Sequence, residues 1–186
     1  VICKERSRLP NAQRIKHENE SDTKPEANVE VPVSVKKENA MHLFKGRCLC
    51  GMSQFSVSLN HFDVYACHCK QCQKWSGGIA MYLETQGEPL VEQDSIAPSH
   101  FASSARGERW FCPGCGCPLW FKLTATARYF IPWTLLEMSE DERRRLVLAA
   151  EIYTETQPAF FGLTGQYARY SGSEIEARDE HCLLTP

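Results

Sequence analysis

Seven of the chain's ten cysteines fall into three tight groups: Cys48-Leu49-Cys50-Gly51, Cys67-His68-Cys69-Lys70-Gln71-Cys72 and Cys112-Pro113-Gly114-Cys115-Gly116. Thiols two or three residues apart can converge on one tetrahedral ion, with Zn–S bonds of about 2.3 Å. A disulfide between such near neighbours would close a small, strained ring and cross-link little. The spacing therefore points to metal, and zinc suits thiolate sets of this kind. Four thiolates close a structural site, whereas three leave a coordination position open to water or an incoming ligand. Four plus three makes one site of each kind, so two zinc ions per chain are expected.

A Cys-x-Cys pair on an extended segment presents both thiols on one face. Residues 112–116 read as a knuckle: Pro113 presets one dihedral, and Gly114 and Gly116 leave room for amides to approach sulfur. A Cys-x-Cys and a Cys-x-x-Cys meeting from distant stretches would tie the chain together and substitute for missing core. Spacing alone leaves the pairing of the groups open. Cys67, Cys69 and Cys72 have no evident fourth ligand. His68 lies between two of them, and on an extended segment it points the opposite way, as a packing or supporting residue. Cys117 would make an eighth ligand, but Gly116 alone separates it from Cys115, so a buried thiol is expected there. Cys3 and Cys182 are expected to be ordinary free thiols. Three thiolates around a divalent ion leave a net negative site, where bound water is a poor acid and a soft sulfur donor is favoured. The expected ligand is thus a small-molecule thiol, bound as thiolate.

These cysteines must be positioned by short segments. Residues 54–59 alternate apolar and polar as a half-buried strand, and 79–83, 109–111, 118–123, 128–136 and 151–154 read as further short strands, with a turn at 105–108. A helix is expected over 140–148, capped by Ser139 with Glu142 completing a capping box. Arg143, Arg144 and Arg145 are its solvated face. The class is mainly β, zinc-stapled, with short antiparallel strands and one short helix. Residues 1–40 hold eight Lys or Arg, seven Asp or Glu and no aromatic residue, the composition of a disordered arm. Residues 29–35 alternate like a strand, although Pro32 would confine that strand to an edge. The zinc-binding domain is then 41–186.

A net charge of −2 argues against nucleic-acid binding. No run approaches the ~20 apolar residues of a membrane span, and the amino end lacks the charged-then-apolar layout of a signal peptide. A reducing compartment, the cytoplasm, is therefore expected to keep the thiols free. The chain opens on Val1 rather than methionine, which leaves room for residues upstream.

Three ordered motifs carry a resemblance: Gly46-Arg47-Cys48-Leu49-Cys50-Gly51, then Cys67-His68-Cys69-Lys70-Gln71-Cys72-Gln73-Lys74-Trp75-Ser76-Gly77, then Arg109-Trp110-Phe111-Cys112-Pro113-Gly114-Cys115-Gly116 with Leu119. Over about residues 43–161 the chain resembles the glutathione-dependent formaldehyde-activating enzyme family, which also includes centromere protein V. The resemblance implies a β-tent-type fold with two zinc ions. By position, Cys48, Cys50, Cys112 and Cys115 would hold the structural zinc, and Cys67, Cys69 and Cys72 the catalytic one. The implied reaction adds the glutathione thiol to formaldehyde, giving S-(hydroxymethyl)glutathione, and in reverse it is a carbon–sulfur lyase. Two family features differ here. A Gly-Ser/Thr-Leu-Asp stretch is replaced by Pro132-Trp133-Thr134-Leu135-Leu136, and a His-Ile pair by Glu151-Ile152. Lys74, Trp75, Ser76 and Arg109 are expected pocket-wall residues by adjacency to the ligands. The alternative to a zinc-dependent lyase is a zinc-stabilised interaction module without catalysis.

Overall fold

The computed structural model describes residues 40–184, with side chains as far as Arg178. The expectations for the arm, for residues 29–35, for Cys3 and for the Cys182 side chain lie outside the described residues. In chain order the elements are β1 (His42–Arg47), β2 (Gln54–Leu59), β3 (Asp63–Cys67), α1 (Lys70–Ser76), β4 (Ala80–Glu84), β5 (Leu90–Val91), β6 (Ser99–Ser104), β7 (Gly107–Phe111), β8 (Pro118–Leu123), β9 (Arg128–Pro132), α2 (Glu140–Arg144), β10 (Val147–Ile152), β11 (Ala168–Tyr170) and α3 (Gly172–Leu184). Turns of 3-10 helix cover Trp133–Leu135 and Thr154–Thr156.

The fold is mainly β. One sheet runs β1-β2-β5 and the other β11-β10-β3-β4-β9-β8-β7-β6. Period-two alternation decides what each face does. In β2, Phe55, Val57 and Leu59 are buried while Gln54, Ser56 and Ser58 are not. In the large sheet, Val64, Leu83, Tyr129 and Ile131 belong to the main core with Phe55, Leu59 and Leu119. Their strand neighbours Tyr65, Tyr82 and Phe130 instead line a cavity. The register agrees, pairing Tyr65 with Tyr82, Phe121 with Phe130 and Arg109 with Phe121. One face of the sheet therefore builds the core and the other the floor of the cavity.

Local expectations are corrected in several places. The helix expected over 140–148 stops at Arg144, although its capping box forms: the Ser139 N–H donates to Glu142 at 2.7 Å, and the Glu142 N–H donates to Ser139 Oγ at 3.3 Å. Residues 147 and 148 belong to β10, which pairs parallel with β3 on one side and with β11 on the other. Val147 and Leu148 themselves pair with Asp63 and Val64 of β3, and a place in that ladder wins over another helical turn. The strand expected over 128–136 ends at Pro132 and turns as 3-10 helix, which delivers Leu136 to a bridge with Gly46. Of the strand expected over 151–154, residues 151 and 152 are the end of β10, and Thr154 already belongs to the following 3-10 turn. Helices α1 and α3 were not anticipated. The signal for α3 is present as Ser171-x-x-Glu174, a second capping box. Among the described residues no helix is long and apolar enough to cross a membrane.

Candidate functional site

Cys48 follows β1 and Cys112 follows β7, so two loops bring Cys48, Cys50, Cys112 and Cys115 together, their sulfurs all within 4.8 Å of one another. Cys48 and Cys50 were read as lying on an extended segment. They instead form a turn, closed by the Gly51 N–H donating to the Cys48 carbonyl at 3.1 Å, which sets the two sulfurs 3.3 Å apart. The second loop is the expected knuckle. The Gly116 N–H donates to the Cys112 carbonyl at 2.8 Å, and Gly116 takes a φ of 71°, a conformation that costs glycine least. The Ser53 N–H donates to Cys48 Sγ at 3.2 Å. The Met52 amide favours a Cys50 thiolate, yet the crowded Cys48 sulfur and its neighbours push that thiol up to about 12. Four sulfurs this close share negative charge at a cost that a cation would relieve, so the donor set fits a metal ion. Cys117 stands apart, its thiol donating to the Pro118 carbonyl at 3.6 Å, and is half-buried rather than buried.

The second group sits where a strand becomes a helix. Cys67 closes β3, held between Ala80 and Ile152 of the neighbouring strands. Cys69 is the cap of α1: its sulfur accepts from the Cys72 N–H at 3.3 Å, and Cys72 lies within the first turn. The segment is thus not extended beyond residue 67. The helical turn is what swings the third sulfur round, and all three lie within 4.8 Å. Hydrogen bonds from the Cys67 and Cys72 thiols hold Cys69 down to about 2, while donation to Cys69 raises Cys67. Three sulfurs this close to one another are again a donor set that fits a cation, here with three ligands.

His68 does point away from the cavity, and its backbone and its Nε2 are both held while its Nδ1 is buried without a hydrogen-bond partner. Its N–H donates to the Ile152 carbonyl at 3.0 Å, and its carbonyl accepts from Gln73 at 2.5 Å and from Thr156 at 2.7 Å. Its Nε2 lies 3.0 Å from Glu151, and both side chains are wholly buried. The Glu151 carboxylate is also bonded by Arg169. The glutamate that replaces the family's histidine therefore braces the backbone behind the three sulfurs and does not line the cavity. Leu136, from the other altered stretch, lies in the main core.

Beside the three sulfurs lies a cavity of about 560 Å³, lined by Cys67, Cys69 and Cys72. Of the four expected wall residues, Arg109 is confirmed in place. It is 4% exposed, and its Nη2 lies 3.6 Å from Cys72 Sγ. Its guanidinium rests over the rings of Phe121 at 5.2 Å and Trp75 at 5.8 Å. Its Nη1 is buried without a hydrogen-bond partner. Burial opposes its charge, but the nearby Cys72 sulfur more than offsets that and raises its pKa. Lys74 and Ser76 are exposed and Trp75 lies behind Arg109, whereas Lys70 and Gln71 of the first α1 turn reach the cavity. The 3.6-residue period turns Lys74 away from the face that carries Cys72, whereas Ser76, four residues on, shares that face but lies one turn further along the helix.

The sequence model of the glutathione-dependent formaldehyde-activating enzyme family matches residues 43–156, and the chain belongs to that family. It is similar to an uncharacterized lyase of Schizosaccharomyces pombe, 24% identical over 133 residues, covering 71% of this chain and 93% of that protein. A crystal structure of a Rhodobacter sphaeroides protein matches 55% of this chain and 96% of its own, with 21% identity and a TM-score of 0.45.

Proposed function

We propose that the chain is a zinc-dependent carbon–sulfur lyase that acts on the adduct of a thiol with formaldehyde, the thiol being glutathione. Family membership supports the reaction class. The observation that carries the reading is the placing of three convergent sulfurs and the Arg109 guanidinium in one cavity. Cys67, Cys69 and Cys72 would hold the catalytic zinc, and Cys48, Cys50, Cys112 and Cys115 the structural one. When bound, the catalytic zinc supplies the charge that favours the thiolate form of an incoming thiol.

In the synthetic direction the thiol adds across the aldehyde carbonyl, so a C–S bond forms and the proton from sulfur ends on oxygen. The lyase direction breaks that bond and returns the proton. Negative charge moves from sulfur to oxygen along the way. The buried Arg109 can stabilise it through the N–H groups of Nη1, while Nη2 stays against Cys72. Burial pushes the Tyr82 hydroxyl in the same cavity up to about 12, so it remains protonated near neutral pH and can donate to that oxygen. A reducing compartment such as the cytoplasm suits a site built of free thiols.

The uncatalysed addition is reversible, so the test is exchange spectroscopy by NMR on equilibrated glutathione and formaldehyde. Zinc-loaded protein should speed exchange between free and adduct signals. Arg109→Ala should lose a factor on the order of 10² of that acceleration, and Cys69→Ser nearly all of it. Protein carrying two zinc ions that leaves the exchange rate at its background value would overturn the proposal.

A further inference from the structure

The cavity is closed by residues that lie beyond the family match. That match ends at residue 156, yet Tyr170, Ile175, Glu176 and Arg178 line the same cavity as the three sulfurs. Helix α3 is anchored there at its first residues. The Gly172 N–H donates to the Glu155 carboxylate at 3.0 and 3.1 Å, and a Cβ on Gly172 would meet the Tyr153 ring at 2.6 Å, so this close approach requires glycine. Tyr153 itself takes a φ of 58°, an uncommon conformation for an aromatic residue and one that surrounding contacts must hold. Its hydroxyl donates to Glu176 at 3.2 Å and accepts from Arg106 Nη1 at 3.3 Å, and that same Nη1 pairs with Glu176 at 2.8 Å. These three side chains clasp α3 to the turn between β6 and β7.

The lining is also unbalanced in charge. Lys70, Arg106, Arg109, Arg128 and Arg178 line the cavity, and Glu176 is the carboxylate among the described lining residues. Arg106 is matched by Glu176, Arg128 by Glu84 at 2.6 and 2.8 Å, and Arg109 by the sulfurs. Arg178 acts on Glu174, four residues earlier on α3, and differs in that its guanidinium lies over a lining ring, 3.9 Å from the Tyr170 centroid. Stacking uses the face of a guanidinium and leaves its N–H edge to bind a planar carboxylate through two parallel hydrogen bonds.

We propose that α3 is the specificity wall of this cavity, and that Arg178, aided by Lys70, receives a carboxylate of the substrate remote from its sulfur. This rests on the thiol-substrate reading above only in assuming that a thiol-bearing molecule is the one that enters. Calorimetric titration of the zinc-loaded full chain separates the two ideas with three probes: glutathione, S-methylglutathione and glutathione diethyl ester. Arg178→Ala should weaken binding of the first two about tenfold and leave the diester unchanged, and Arg178→Lys should recover part of the loss. Equal weakening of all three probes, no weakening of any, or failure of wild-type protein to bind S-methylglutathione overturns the assignment to α3. If wild-type protein binds glutathione no better than S-methylglutathione while Arg178→Ala still weakens both, the carboxylate subsite stands and the thiol reading falls. A wild-type preference for glutathione over S-methylglutathione, with neither affinity changed by Arg178→Ala, gives the converse.

Discussion

The two sulfur groups are built in opposite ways. Cys48, Cys50, Cys112 and Cys115 come from two loops far apart in sequence, and none of them lines the cavity. Their convergence holds the end of β1 against the β7–β8 connection. Cys67, Cys69 and Cys72 lie within six residues, at the end of a central strand and the first turn of a helix, and all three line the cavity. Long-range ligands make a cross-link that replaces core, whereas local ligands cross-link nothing but can be offered to a ligand from outside. The difference in chain separation thus marks which metal would hold the fold and which would do chemistry.

The largest effect should come from Cys112→Ser. Cys112 is 0% exposed and belongs to the long-range group. A structural zinc contributes on the order of 10 kcal/mol, as much as a whole domain's stability, so the variant should lack a cooperative thermal transition in calorimetry. A transition near that of wild type would mean that the long-range group is not what holds the fold.

Next comes Glu151→Ala, which strands the buried His68 and exposes the open end of Arg169's pairing. Burial lowers the His68 pKa, so the partner left behind is a neutral imidazole, and leaving that buried group unsatisfied costs about 1–3 kcal/mol, a loss that denaturant titration should read directly. If stability is unchanged, the brace behind the three sulfurs is dispensable and the local group holds its own geometry.

Cys69→Ser should have a smaller effect on the fold. The melting temperature should fall by no more than about 5 °C, a change of roughly 1 kcal/mol, while elemental analysis drops from two zinc ions per chain to one and activity disappears. Destabilisation as severe as that of Cys112→Ser would erase the contrast between the two groups. The smallest effect belongs to Cys117→Ser, with zinc content still two and stability within about 1 kcal/mol. Loss of a zinc ion there would make Cys117 a ligand and turn the open group into a closed one.

The sulfur pairs were legible because metal-binding spacing is a local property: Cys48 with Cys50, and Cys112 with Cys115, can each come together however the rest of the chain folds. Strand β2 was legible for the same reason, since its alternation with period two records one buried face. The parts that could not be read all depend on distant neighbours. Residues 147 and 148 could extend a helix until Asp63 and Val64 of β3 offer them backbone partners. His68 gains its role from Glu151, which lies 83 positions away. Arg109 becomes part of a site when the sheet register sets it opposite Phe121 and its side chain reaches Cys72. By itself the sequence determined which sulfurs could bind metal and which family the chain resembles. Tertiary structure decided which sulfurs meet, what stands behind them and which residues wall the cavity, because those depend on hydrogen-bond register and packing between segments that no local pattern encodes.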